Sequence, residues 1–443
     1  MGSYIPNTLE EQEDMLGLMG MKSSEDLFVQ VPKGVRLNSE FNIPLSKSEM
    51  EVSNIMTSMA EKNTIFKTIF RGAGAYRHYI PSIVKQITSK EEFITSYTPY
   101  QAEISQGVLQ SIFEYQTMIC ELTGMDVSNA SVYDGASAAA EAIIMSVERK
   151  RNKAIISETV DPQILETVKT YCKSLDIEVV VAGASNGVTN IASIKKLLDE
   201  GTACLLIQQP NFYGQLEDAE EIGRLAAEKG AKYIISSNPI SLGILKAPAE
   251  YGADIAVGEG QPFGIPLSFG GPYLGFMATT EKLMRKLPGR IVGETTDSQG
   301  RRAFVLTLQA REQHIRREKA SSNICSNQAL CAMTAAVYLD AMGEKGLKQA
   351  AELSMAKAHY LAQLLCEIDG FDMVYKGEFF NEFVTRSPIS VDKLMKILED
   401  RGILGGYPLA NDNILWCATE VNTKEEIHKL IDILRRWLYE TNL

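Results

Sequence analysis

The first candidate site consists of two residues at a predicted helix start, where backbone N–H groups have no partner within the helix. Gly135 and Ser137 stand in VYDGASAAAEA, after an apolar run and at the start of a helical pattern. The free N–H groups at a helix start suit a phosphate, and a hydroxyl adds a further hydrogen bond. Small residues at a strand-to-helix turn are also typical of plain packing, so this segment leaves both interpretations open.

A second segment, GADIAVGEGQPFGIPLSFGGPYLGF, places a loop rich in glycine and proline after a strand-like run. An earlier strand-like run ends near Asn238, before this segment begins. Gln261 stands where the loop begins. Such a loop is costly in backbone entropy unless the chain must approach something closely or adopt special dihedral angles. A tight crossover in a large sheet is the alternative explanation.

A third segment, TSYTPYQAEISQGVLQ, gathers two tyrosines, several glutamines and a carboxylate around a proline. Tyr97, Tyr100 and Gln106 could together line a polar pocket. The apolar residues Ile104 and Val108 are also typical of one face of an amphipathic helix. The sequence favours neither interpretation.

A fourth segment, LTLQAREQHIRREKASSN, is a local excess of positive charge in an acidic chain. Arg311 and His314 belong to it, together with further basic residues up to Lys319. Arginine geometry suits a carboxylate or a phosphate, so the segment could recognise a ligand or an acidic partner. A solvated helix face, with Glu312 and Glu318 as partners of the basic side chains, is the alternative.

The elements that must position these residues follow from an alternation of apolar runs with helical patterns. This alternation predicts right-handed crossovers and a mainly parallel sheet, covered on both faces, with ligands at the carboxyl ends of its strands. The predicted strands are Ser131–Tyr133, Ala154–Ile156, Glu178–Ala182, Ala203–Gln208, Lys232–Ser236, Asp254–Val257 and Leu274–Ala278. The predicted helices between them are Ala138–Lys150, Pro162–Ser174, Ile194–Glu200 and Leu216–Lys229.

The same patterns divide the chain into three parts. Residues 1–75 mix polar helical segments with Pro and Gly breaks, which predicts an N-terminal helical arm without its own core. Residues 76–325 hold the predicted sheet. Residues 326–443 begin with a long helix and continue with short strands and further helices, which predicts a small α+β domain.

Composition limits the classes of function. The chain has 443 residues, with 44 basic against 56 acidic side chains and a formal net charge of −12. An acidic chain does not suit the phosphate backbone of a nucleic acid. We see no signal peptide and no apolar stretch long enough to span a bilayer. The seven cysteines are dispersed without a CxxC pair, which predicts free thiols in the cytoplasm, and the four scattered histidines predict no metal site.

Taken together, YTPYQAEISQG, SVYDGASAAAEA, GADIAVGEGQPFGIPLSFGGPYLGF and REQHIRREKASSNICSNQAL resemble the N-terminal half of the glycine cleavage system P-protein. In some bacteria and archaea this family is split into two chains, and the sequence is similar to the first of them over essentially its whole length. The resemblance implies the α/β architecture of fold-type-I pyridoxal-phosphate (PLP) enzymes. That architecture has an N-terminal arm, a mainly parallel seven-stranded sheet and a small C-terminal α+β domain. It also implies decarboxylation of glycine and transfer of the aminomethyl group to the lipoyl arm of the H-protein.

PLP chemistry requires a lysine for the Schiff base, a group that stabilises the pyridinium, and an anion site for the phosphate. By the resemblance, Gln261 stands in place of the lysine and Asn238 in place of the pyridinium aspartate. Glutamine cannot form an imine, and a neutral amide cannot stabilise a protonated ring nitrogen as a carboxylate does. Gly135 and Ser137 then belong to a vestigial phosphate site, and we predict no catalytic residue in this chain.

The resemblance further implies that a second subunit binds PLP covalently. Two copies of each chain form the implied assembly, and we expect a homodimer when this chain is isolated. Tyr97, Tyr100, Gln106, Arg311 and His314 are expected to contribute to a substrate or cofactor pocket shared with that partner, although the basic segment could instead dock the H-protein. Two other hypotheses stay open. One is a purely structural or regulatory subunit, and the other is an autonomous PLP decarboxylase or aminotransferase that uses another lysine.

Overall fold

The structure is a computed structural model of the chain, and it describes residues 6–37, 39, 41–94, 98–320 and 322–440. The chain separates into two compact units, Met1–Ile65 and Phe66–Leu443. The three-part division at residues 75 and 325 stays a prediction.

The first unit contains two helices, α1 (Leu9–Leu18) and α2 (Glu49–Ala60), and each begins with a capping box. No described residue between positions 6 and 65 is buried. Many large apolar side chains in this range are exposed, Phe41 and Leu45 among them. The described part of the first unit therefore has no hydrophobic core of its own.

The second unit holds the strands. In its described residues these are β1 (Thr68–Ile69), β2 (Val127–Ser128), β3 (Lys153–Ser157), β4 (Glu178–Ala182), β5 (Ala184–Ser185), β6 (Val188–Thr189), β7 (Thr202–Gln209), β8 (Lys232–Ser237), β9 (Ile255–Glu259), β10 (Gly275–Thr279), β11 (Ile291–Thr296), β12 (Arg302–Thr307), β13 (Asp372–Met373), β14 (Glu382–Arg386), β15 (Ile403–Leu404), β16 (Tyr407–Leu409) and β17 (Asn413–Cys417).

The helices of the second unit lie mostly between these strands. In the described residues they are α3 (Ser82–Thr88), α4 (Glu91–Ile94), α5 (Gln106–Thr123), α6 (Gly135–Ser146), α7 (Pro162–Ser174), α8 (Ile191–Leu197), α9 (Ala219–Glu228), α10 (Gln313–Arg316), α11 (Ala329–Cys366), α12 (Val391–Glu399) and α13 (Lys424–Glu440). Helix α11 is interrupted at Gly343, whose φ of 60° and ψ of 180° are not helical.

Seven strands form the central sheet, in the order β2–β10–β9–β8–β7–β3–β4. Strands β3, β4, β7, β8 and β9 run parallel to one another, whereas β10 is antiparallel to both of its neighbours, β9 and β2. The predicted mainly parallel seven-stranded sheet is confirmed. Six of its seven strands lie within two residues of their predicted bounds.

The remaining predicted strand, Ser131–Tyr133, is wrong. The strand at this edge of the sheet is β2, and beyond it only Val132 forms an isolated bridge, to Gly275. Ser131 has a φ of 109°, which lies outside the extended region and interrupts a strand that would pass through it. Asp134 then caps α6, so this helix begins three residues earlier than predicted, at Gly135.

The hairpin of β11 and β12 was not predicted. Its two strands pair antiparallel over six residues each, from Ile291 opposite Thr307 to Thr296 opposite Arg302. The β12 sequence RAFVLT places apolar side chains on both faces of the strand. A two-residue alternation of apolar and polar types is therefore absent, and that alternation is what marks a half-exposed strand.

The central sheet is buried on both faces. Ile155 and Leu205 pack in one core with residues of α5, α9 and α11, and Ile156 and Leu206 pack in another with residues of α6 and α7. Burying each such side chain contributes roughly 1.5–3 kcal/mol. A third core joins α11, α12 and α13 to the antiparallel sheet β13–β14–β17–β16. No helix in the described residues is long and apolar enough to cross a membrane.

Candidate functional site

A cavity of about 650 Å³ opens where three parallel strands end. Gln208 in β7, the Ser236–Asn238 stretch that ends β8, and Glu259 in β9 line it from the sheet. The first residues of α6 line it from the side. The carboxyl ends of parallel strands and a helix N-terminus are the usual parts of a ligand site in such a fold.

A carboxylate of the chain itself lies at the start of α6. Glu259 Oε2 accepts a hydrogen bond from Gly135 N at 3.0 Å, and its Oε1 accepts from Gln261 N and Leu274 N at 2.9 Å each. Burial raises the pKa of Glu259 to about 7, while these three N–H groups act in the opposite direction. Above this pKa the carboxylate places a negative charge at the helix N-terminus, where it is favourable.

The two residues of the predicted phosphate site are thus already engaged. Gly135 donates to Glu259, and the N–H of Ser137 donates to Asp134 Oδ1 at 2.7 Å. The backbones of the two segments also approach closely, because a Cβ on Gly135 would lie 2.8 Å from Glu259 N. The predicted anion site is therefore built around side-chain carboxylates of the same chain.

Gln261 is buried, and its side-chain amide is fully engaged by backbone groups. Its Oε1 accepts from Tyr76 N at 3.0 Å, and its Nε2 donates to Tyr76 O at 2.9 Å and to Ile265 O at 2.7 Å. The side chain therefore joins the loop after β9 to the segment that precedes α3. Its position as the counterpart of a Schiff-base lysine stays a prediction, but the contacts it makes are those of a structural bracket.

Asn238 lies at the end of β8 and lines the cavity, and its side chain binds nearby backbone groups. Its Oδ1 accepts from Ile240 N at 3.0 Å and from Ser241 N at 3.4 Å. These bonds shape the turn that follows the strand, as Asn side chains commonly do. The side chain carries no charge that could stabilise a pyridinium.

The cavity does not fit PLP. Among the described residues that line it there is no lysine, arginine or histidine, and three carboxyl groups, those of Asp134, Asp161 and Glu259, face it or border it. A phosphate dianion would meet negative charge where a binding site needs N–H donors or cations. No residue on its wall can form an imine. No catalytic step of the cofactor is therefore assigned to this cavity.

A buried acid and a tyrosine, which the sequence analysis missed, fix one wall of the cavity. The Tyr76 hydroxyl donates to Glu382 Oε2 and Ala73 N donates to Glu382 Oε1, at 2.7 Å each. Burial raises the pKa of Glu382 to about 7. The pair ties the loop before α3 to the antiparallel sheet 306 residues later in the chain, a separation that no local pattern reveals.

Of the five residues predicted to serve a shared pocket, the four that the structure describes are not among those that line this cavity. Tyr97 lies outside the described residues. Gln106 forms two hydrogen bonds with the backbone of Phe304, donating to its carbonyl and accepting from its N–H at 2.8 Å each. Arg311 donates to Leu308 O at 3.2 Å and to Gly289 O at 3.0 Å, and burial lowers its pKa. Both side chains hold backbone segments together.

Tyr100 and His314, in contrast, lie next to each other and are exposed to solvent. Their ring centroids are 6.3 Å apart in an edge-to-face arrangement, and His314 Nδ1 lies 3.4 Å from a carboxylate oxygen of Glu312. The Tyr100 hydroxyl accepts a hydrogen bond from Arg290 Nη2 at 3.1 Å. The structure therefore brings together two of the five predicted residues and adds Arg290, which the sequence analysis missed.

The fold defines the class of protein. A mainly parallel seven-stranded sheet, a site at the carboxyl ends of its strands and a second antiparallel sheet are the architecture of fold-type-I PLP-dependent enzymes. The structure of Lactobacillus brevis glutamate decarboxylase superimposes with a TM-score of 0.68 over 95% of this chain and 97% of that one. At 14% identity this likeness concerns the fold alone.

The chain belongs to the glycine cleavage system P-protein family, whose model matches residues 2–434. It is 47% identical to the probable glycine dehydrogenase (decarboxylating) subunit 1 of Desulfitobacterium hafniense, over 97% of this chain and 98% of that protein. It is also similar to the crystal structure of glycine decarboxylase (P-protein) of the glycine cleavage system in inhibitor-bound form. That match has a TM-score of 0.92 and 40% identity, and it covers 98% of this chain and 100% of the other.

Proposed function

We propose that this chain is the subunit of a two-subunit glycine decarboxylase that lacks the Schiff-base lysine. The observation that carries the proposal is the environment of Gln261. Its side chain is buried, and its amide forms hydrogen bonds with the backbone of Tyr76 and Ile265. The name subunit 1, borne by a relative that matches over nearly the full length of both chains, supports the existence of a second subunit.

In the proposed complex, the second subunit holds PLP covalently through its own lysine. The complex decarboxylates glycine and passes the aminomethyl group to the lipoyl arm of the H-protein, and it contains two copies of each chain. The activity is that of an aminomethyl-transferring glycine dehydrogenase, and the isolated chain is inactive. The seven free cysteines agree with the cytoplasm as the site of action.

The first unit supports a role in assembly. Its described residues bury no side chain, yet they expose large apolar ones such as Leu18, Phe41 and Leu45. Exposed apolar surface of this kind is typical of a segment that packs against another chain. We propose that residues 1–65 contribute to the contact between subunits.

The basic segment divides into two parts with different proposed roles. Arg311 is half-buried and bonded to backbone carbonyl groups, whereas Arg316, Arg317 and Lys319 are exposed. Exposed cations attract an acidic partner and raise the rate of its association. We assign Arg316, Arg317 and Lys319 to docking of the H-protein, and Tyr100 and His314 to the pocket shared with the second subunit.

Reconstitution tests the proposal. The isolated chain with added PLP is expected to release no CO₂ from glycine, and addition of the lysine-bearing subunit is expected to give full turnover with lipoylated H-protein. Borohydride reduction followed by peptide mapping should find a pyridoxyl-lysine in the second subunit. A pyridoxyl-lysine in this chain without any partner would overturn the proposal, since it would identify an autonomous PLP enzyme.

The alternative of a purely structural subunit is supported by the backbone bonds of Gln106 and Arg311. It predicts that Tyr100→Ala and His314→Ala leave turnover unchanged while the complex assembles normally. Our proposal expects a loss of turnover for at least Tyr100→Ala in the same assay.

A further inference from the structure

The guanidinium of Arg290 is buried, and its hydrogen bonds within the described residues go to neutral side chains. The residue is 6% exposed. Nη2 donates to the Tyr100 hydroxyl at 3.1 Å and Nη1 donates to Asn327 Oδ1 at 3.2 Å. Nε is buried and has no hydrogen-bond partner among the residues that the structure describes.

An isolated buried charge of this kind is costly. The desolvation penalty of one ion in a protein is several kcal/mol, and arginine cannot avoid it by losing its proton. Of the five N–H groups of a guanidinium, two are used in the bonds to Tyr100 and Asn327, and both acceptors are neutral. The site therefore lacks an anion that would compensate the charge.

The neutral neighbours hold the guanidinium in a fixed orientation. Asn327 Nδ2 donates to Ala130 O at 2.8 Å and to Ser131 Oγ at 3.2 Å, which turns its Oδ1 toward Arg290. The guanidinium carbon lies 5.3 Å from the centroid of the Tyr100 ring, in a cation–π contact. Tyr100 is itself 50% exposed, so a side chain that contacts the cation also reaches solvent.

We infer that Arg290, with Tyr100 and Asn327, forms a carboxylate-binding site that is filled in the assembled enzyme. The inference rests on the proposed function for the source of the carboxylate, which is either the substrate glycine or an Asp or Glu side chain of the second subunit. A guanidinium binds a planar carboxylate through two parallel N–H bonds. Arg311, which the sequence offered as one candidate for binding a carboxylate, donates to carbonyl oxygens instead.

Two variants and one matched control test the site in the complex reconstituted with the lysine-bearing subunit. Arg290→Gln removes the charge, and Tyr100→Phe removes only the hydroxyl from a half-exposed side chain, so it keeps the test valid if the first variant does not fold. Arg302→Gln is the control, because Arg302 is an exposed arginine paired with Glu294 at 2.8 Å. The readouts are subunit assembly by sedimentation and the KM and kcat for glycine.

The expected effects follow from the bonds that each variant removes. If glycine supplies the carboxylate, Arg290→Gln raises the KM for glycine about 10- to 100-fold and Tyr100→Phe about three- to tenfold, with assembly unchanged. If the second subunit supplies it, the same variants weaken assembly by similar factors and leave the KM of the complex that forms unchanged. Arg302→Gln alters neither quantity.

A measurement on the isolated chain separates this inference from the proposed function. Sodium acetate, compared with sodium chloride at equal ionic strength, is expected to raise the thermal midpoint of the wild type by about 2 °C or more, and that of Arg290→Gln by less. A complex without glycine turnover would defeat the proposed function, and the acetate comparison would still decide the site. Equal acetate effects in both chains, with unchanged KM and assembly, would overturn the carboxylate site.

Discussion

Two regions of the second unit differ in how their buried polar groups are compensated by hydrogen bonds and charges. At the cavity wall, the carboxylate of Glu259 accepts three hydrogen bonds from the chain. The amide of Gln261, which binds the backbone of the cavity-lining residue Tyr76, also forms three. At the Arg290 site, defined by Tyr100, Arg290 and Asn327, the partners of the charged group within the described residues are neutral.

The difference shows which of the two regions needs something from outside. A buried polar group that is satisfied internally contributes to stability and has no requirement for a ligand. A buried cation without an anion costs free energy until an anion arrives. Glu259 and Gln261 therefore have the properties of structural groups satisfied within the chain, and Arg290 has those of a cation without a compensating anion among the described residues.

The largest effect is expected when the side-chain hydrogen bonds of Gln261 are removed. In Gln261→Leu, the N–H and carbonyl of Tyr76 and the carbonyl of Ile265 lose their buried partner. Each unsatisfied group costs about 1–3 kcal/mol, so we expect a loss of roughly 3–5 kcal/mol in the free energy of unfolding, measured by urea denaturation. Gln349→Leu, on the exposed face of α11, is the control and should change stability by about 0.5 kcal/mol or less. A loss no larger than that of the control would show that Gln261 is not a bracket.

The next effect concerns the carboxylate at the start of α6. Glu259→Ala leaves three N–H groups without this acceptor, and at about 1 kcal/mol for each we expect a loss of roughly 3 kcal/mol in the free energy of unfolding. The same change opens the helix N-terminus, so sodium phosphate should stabilise the variant more than it stabilises the wild type. Glu121→Ala, at an exposed position of α5, is the matched control. Equal effects of phosphate on variant and wild type would mean that Glu259 does not occupy an anion site.

The sequence predicts the central sheet well because its information is local. Short segments rich in apolar residues, such as β3 and β7, mark buried strands by themselves. The same local reasoning failed at Ser131–Tyr133, because Ser131, the first residue of the predicted strand, has a φ of 109°. The composition of that segment contains no sign of the backbone turn.

The candidate site was harder to predict because its contacts join distant parts of the chain. The sequence singles out Gln261 as a candidate, but its partner Tyr76 lies 185 residues away. Gln106 and Arg311 have residue types suited to a pocket, and only the structure shows that they bind backbone groups. Arg290 stands between Gly289 and strand β11, and the sequence does not reveal that its partners in the described residues are neutral.

The smallest expected effect concerns the ionisation of Glu259 and its contribution to the pH dependence of stability. Burial raises the pKa of Glu259 to about 7, above the value of about 4.3 expected in the unfolded chain. Between these values the folded chain keeps a proton that the unfolded chain has lost. The free energy of unfolding therefore falls as pH rises from about 5 to about 7, by at most about 1.4 kcal/mol per pH unit for this group.

Glu259→Gln cannot titrate, so its free energy of unfolding should fall less steeply over the same range. Urea denaturation of both chains at pH 5, 6 and 7 measures the two slopes, and the remaining slope of the variant includes Glu382, whose pKa burial also raises to about 7. Parallel slopes would mean that the three N–H donors outweigh burial and that Glu259 stays ionised down to pH 5. The cavity would then hold a permanent internal anion opposite α6, and the contrast with the uncompensated cation of Arg290 would be larger than the raised pKa implies.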